Sequence, residues 1–152
     1  MAVLLQSEVD SLSFDLDHIK QTAEKLLGLV NHAESELSIL LVDDTRMTEL
    51  NSIYRHKDTP TNVLSFPMHD DNIHPEAILL GDIVISIDTA IRESTEKYIP
   101  LENYLTILQV HGLTHLLGYD HERGEQEALE MASFEKKLLE KLNPEYNNPL
   151  TI

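Results

Sequence analysis

The sequence predicts one α+β domain, a small mixed sheet of about four strands packed with about five helices. Three observations predict it. Short β-rich runs are interspersed with segments of helical periodicity, without internal repeat or low-complexity linker. The length of 152 residues suits one core and is too short for two comfortable ones. Finally, residues 36–43 (ELSILLVD) and 81–87 (GDIVISI) are apolar on both faces, as sheet strands covered on both sides are.

Each element has its own warrant. Residues 2–5 are a short apolar run and a first strand. From Ser13, read as an N-cap, Leu16, Ile19, Ala23, Leu26, Leu27 and Val30 recur at helical spacing. After the strand at 36–43, Asp44 is read as the cap of a second helix. Its Met47, Leu50, Ile53 and Tyr54 are expected to face the core, and it ends near Arg55. Turn chemistry follows up to Thr61, then a β-rich run at 62–66 closed by Pro67, a residue suited to a strand end or a sheet edge.

Residues 68–79 hold Asp70, Asp71, Asn72 and Pro75 with no sustained period and read as a long loop. The strand at 81–87 leads to a helix capped by Asp88 and running to about Lys97, and residues 98–100 connect. Residues 101–117 form a strongly apolar helix that Gly118 stops. A last amphipathic helix spans 125–142, with Ala128, Met131, Phe134, Leu138 and Leu142 inward. Residues 143–152 are expected to be a frayed tail of the single domain 1–152.

Composition narrows the function. With no cysteine, disulfides and thiolate metal sites are excluded, so any metal must be held by His, Asp or Glu. The first residues lack a basic leader and are too short an apolar run for a signal peptide, and no other run approaches membrane-spanning length. The expected location is the cytoplasm, with no membrane partner. Eleven Lys and Arg against 27 Asp and Glu give a formal charge of −16, which disfavours unaided binding to a polyanion.

Residues 111–121, HGLTHLLGYDH, carry the chemistry. Positions i and i+4 of a helix lie about 40° apart around the axis and about 6 Å along it, so His111 and His115 can address one ion. Gly118 can take a positive φ and turn the chain back, bringing His121 to the same point. A chance match to this four-part pattern is expected only about 10⁻³ times in such a chain. Three imidazoles and an open position describe a catalytic rather than a structural zinc site, one ion per chain, although nickel or another divalent metal suits the same donors. Asp120 and Glu122 flank the third histidine and are candidates to orient an imidazole. The other five histidines, His18, His32, His56, His69 and His74, lack such spacing and are read as surface or loop residues.

The spacing resembles that of the metzincin proteases, but their general-base glutamate is replaced here by Gly112. A base contributes about 10² to 10⁴ in rate, so peptide hydrolysis is the weaker hypothesis. The sequence more closely resembles the YbeY family of bacterial endoribonucleases. LNSIYRHKDTPTNVLSFP at 50–67, LGDIVIS at 80–86 and HGLTHLLGYDHE at 111–122 carry the likeness. The resemblance implies a zinc-dependent, single-strand-directed endoribonuclease acting in 3′-end maturation of small-subunit rRNA and in ribosome quality control. It also implies partners: the ribosome, a small-subunit ribosomal protein and the GTPase Era. Carried onto this chain, the ligands are His111, His115 and His121, and the functional arginine is Arg55.

Arg55 offers a planar fork for phosphate oxygens, and Lys57 adds positive field beside it. Thr61, Asn62 and Ser65 are candidate substrate contacts. The competing readings are a metallopeptidase and a non-catalytic assembly factor whose zinc locks the C-terminal half to the core.

Overall fold

The computed structural model describes residues 3–10, 13–68 and 79–143. Nine elements follow in order: β1 (Val3–Ser7), α1 (Leu16–Leu29), β2 (Glu36–Val42), α2 (Asp44–Arg55), β3 (Val63–Pro67), β4 (Leu79–Ser86), α3 (Ile87–Glu96), α4 (Leu101–Leu116) and α5 (Glu125–Leu142). The expected loop at 68–79 falls mostly, and the expected tail almost wholly, outside the described residues. The strands form one mixed sheet in the order β1-β2-β4-β3. β1, β2 and β4 run parallel, and β3 pairs antiparallel with β4 at one edge.

Strand alternation explains how both faces are covered. Leu37, Ile39 and Leu41 of β2 and Ile83 and Ile85 of β4 point into the main core, shared with α1, α4 and α5. Leu40, Val42, Leu64, Val84 and Phe66 point the other way and meet Met47 and Leu50 of α2. β2 and β4 are therefore inner strands with two apolar faces, as their sequence pattern predicts. Pro67 ends β3 at the sheet edge, where its missing N–H costs no ladder bond. Opposite it Gly81 adopts φ 145°, and an added Cβ would collide with the Phe66 carbonyl oxygen.

Several boundaries differ from expectation. The carboxylate of Asp15, not Ser13, accepts the first N–H groups of α1. Asp43 caps α2 and Ser86 caps α3, each one or two residues before the acid expected to do so. β4 begins at Leu79, two residues early. Ile53 and Tyr54 are 63% and 60% exposed rather than core-facing; α2 buries only Met47 and Asn51, and Tyr54 meets the edge strand through an edge-on ring contact with Phe66.

Candidate functional site

α4 is the most deeply buried helix; every side chain from Tyr104 to Val110 is buried. It delivers His111 and His115 at its C-terminal end, where burial gives way to partial exposure. The helix then closes in a Schellman turn: the Gly118 N–H donates to the His115 carbonyl at 3.0 Å and the Tyr119 N–H to that of Thr114 at 3.3 Å. Gly118 takes φ 103°, the conformation the sequence predicts for it. The reversed chain brings His121 back, and one ring nitrogen from each of the three histidines lies within 4.8 Å of the others.

These donors fit a divalent ion. The ring centroids stand 4.7 to 5.5 Å apart. Burial, then the neighbouring rings of His111 and His121, push the pKa of His115 below the usual histidine value, keeping its lone pair available at neutral pH. Glu135 of α5 places both carboxylate oxygens near Nδ1 of His111, at 3.2 and 3.3 Å. The sequence gives no local signal of this pair, since 24 residues separate its members.

Asp120 and Glu122, the candidates to orient an imidazole, have hydrogen-bond partners of their own. Asp120 accepts the Glu122 N–H at 2.9 Å; that bond first, with Arg123 and two site histidines adding to it, lowers its pKa against partial burial. Glu122 accepts from Arg55 Nη2 at 3.3 Å. This contact brings the C-terminus of α2 against the histidine turn. His56, left-handed at φ 58°, terminates α2 directly after Arg55, and the side-chain amide of Asn51 donates to the Thr59 carbonyl at 2.8 Å, fixing the turn that carries Lys57.

Arg55, Lys57 and the three histidines line one cleft of about 1040 Å³. Four of the chain's 11 Lys and Arg line it (Arg55, Lys57, Arg123 and Lys136), against three of its 27 Asp and Glu (Asp120, Glu122 and Glu135). The cleft thus reverses the charge balance of the body. Of the candidate contacts on its rim, Asn62 donates its amide to Glu93 at 2.9 Å and Ser65 its hydroxyl to the Gly112 carbonyl at 3.0 Å. Both line the cleft, as Thr61 does.

Gly112 is explained by packing. A Cβ there would lie 2.9 Å from Cγ2 of Ile83, so the glycine lets α4 press onto β4. The position occupied by an acid in a metalloprotease is turned against the sheet here.

A mixed-sheet α+β protein with a three-histidine cluster able to hold a metal ion, set in a locally basic cleft, is the class that fold and site define. A sequence profile of the family described as Endoribonuclease YbeY matches residues 5–143, and the chain belongs to this family. The chain is 41% identical over 147 residues to the endoribonuclease YbeY of Vesicomyosocius okutanii, covering 97% of this chain and 99% of that one. It is 44% identical over 127 residues to that of Aquifex aeolicus, covering 84% and 83%. A solution structure of a Thermotoga maritima protein superposes with a TM-score of 0.66 at 26% identity, covering 95% of this chain and 91% of that one.

Proposed function

We propose that this protein is a metal-dependent endoribonuclease that cuts single-stranded RNA, with His111, His115 and His121 holding the ion and Arg55 holding the scissile phosphate. The observation that carries the reading is the convergence of the histidine cluster and Arg55 on one cleft where basic groups outnumber acids, on a protein of formal charge −16. Family membership supplies the reaction class, and the cleft supports an anionic substrate.

Cleavage of a phosphodiester builds negative charge on a five-coordinate phosphorus. The Arg55 guanidinium meets that charge with a planar pair of donors. In the free protein its partner is the Glu122 carboxylate, and a substrate phosphate takes that carboxylate's place. Zinc is the ion best suited to three neutral imidazoles, and when bound it supplies Lewis acidity and lowers the pKa of water. His115, held neutral, keeps its ring ready for the ion. Lys57 adds positive field on the same side. Peptide hydrolysis finds less support, because position 112 packs on Ile83 and carries no acid.

The physiological substrate proposed is the 3′ end of small-subunit rRNA, with a role in ribosome quality control and the ribosome, a small-subunit ribosomal protein and the GTPase Era as partners. Net acidity supports this: a repulsive body with a small basic cleft suits RNA presented by a bound partner. Single-turnover cleavage of a single-stranded RNA at saturating zinc tests the arginine. Arg55→Ala is expected to slow it about 10² to 10³-fold, as loss of one preorganised donor does. An undiminished rate would remove Arg55 from the site.

A further inference from the structure

We infer that Glu135 is a positioning residue through which α5 is coupled to metal binding. The inference rests on the ligand reading of His111, His115 and His121, and its observations are separate from it. Both Glu135 oxygens lie near Nδ1 of His111, and the two side chains are only 15% and 16% exposed. Every other ion pair among the described residues has at least one well-exposed side chain. The preceding residue, Phe134, stacks on Tyr119 with centroids 4.8 Å apart and planes at 14°. α5 therefore grips both segments that supply imidazoles, α4 through His111 and the histidine turn through Tyr119. Met131, Ala132, Lys136 and Leu139 of the same helix line the cleft.

An ionised carboxylate only accepts hydrogen bonds, so the nitrogen facing Glu135 carries the proton and Nε2 keeps the lone pair. This fixes the tautomer and the ring orientation of His111 before an ion arrives. Without Glu135 the ring is free to rotate and to present either nitrogen. Linkage makes the effect reciprocal: whatever docking of α5 adds to ion affinity, the ion adds to docking of α5. Metal binding thereby firms one wall of the substrate cleft.

The test uses the full chain, wild type, Glu135→Ala, Glu135→Gln and His111→Ala, with two readouts independent of activity. These are zinc affinity by competition with a chromophoric chelator, and amide hydrogen exchange of residues 125–142 with zinc or with EDTA. Zinc is expected to slow exchange in α5 of the wild type. Glu135→Ala is expected to bind zinc about 10 to 100-fold more weakly and to lose the zinc-dependent protection of α5 while residues 111–121 keep theirs. Glu135→Gln, whose amide oxygen still accepts from Nδ1, falls between the two, and it carries the affinity test if the alanine variant does not fold.

Wild-type affinity in both Glu135 variants, or α5 exchange indifferent to zinc, would overturn the inference. Full zinc affinity in His111→Ala would overturn the ligand reading beneath it instead.

Discussion

At the scale of single residues, the proposed chemistry turns on Gly112 and Arg55. Gly112 lies against Ile83, so Gly112→Glu overpacks the α4–β4 contact and is expected to cost about 1 to 3 kcal/mol, read by urea unfolding, without conferring peptidase activity. In the proposed role Arg55 acts through its fork rather than its charge alone. Arg55→Lys is therefore expected to cleave RNA at a rate nearer to Arg55→Ala than to the wild type. Stability should change little in either variant, since the exposed Arg55–Glu122 pair contributes under about 1 kcal/mol. The three histidines and Gly118 are legible in the sequence because their geometry is local, set by one helix and one turn. Glu135 is not, because its approach to His111 depends on how α5 docks. Ile53 and Tyr54 fit a helical stripe, yet both are largely exposed, because α2 buries only its Met47 and Asn51.

At the scale of elements, Asp44 is a polar anchor between α2 and α3 outside the site. Asp44 accepts from Ser86 at 2.7 Å, Thr89 at 2.6 Å and Arg92 at 2.6 Å. Burial opposes its ionisation, but these hydrogen bonds outweigh it and hold the carboxyl below its ordinary value. A depressed folded-state pKa means that this stability is present above the unfolded value of about 3.8 and is lost as pH falls through the lower folded value. Asp44→Ala is expected to cost about 2 to 3 kcal/mol at neutral pH and to flatten the acid limb of the stability curve, both measured by denaturant titration. The sequence places Asp44 at the right helix end but in the wrong role. Neighbouring acids and serines compete for the cap, and only the partner helix decides that Asp43 takes it while Asp44 reaches across to α3. Element types are legible throughout because hydrophobic period is local; cap identities are not.

At the scale of the whole molecule, charge separates body from cleft. The four basic residues lining the cleft set the expected salt response: neutralising up to four phosphates of a single strand gives a slope of log K against log salt of about −3. Fluorescence anisotropy with a short unstructured RNA measures it, and tight, salt-insensitive binding would contradict an RNA site confined to this cleft. Among the described residues no helix is long and apolar enough to cross a membrane. The sheet order and the opposed placement of α2 and α4 exceed what periodicity reveals, yet they bring Arg55 to a histidine cluster 56 to 66 residues further along the chain. The central claim, that three histidines hold an ion on which RNA cleavage depends, is tested most directly by one comparison. Cleavage of a single-stranded RNA is followed for the zinc-loaded wild type, the chelated wild type and a folded His115→Ala variant. Cleavage that disappears on chelation, returns with zinc and falls at least about 10²-fold in the variant is the predicted result; equal rates in metal-free wild type and His115→Ala would contradict it.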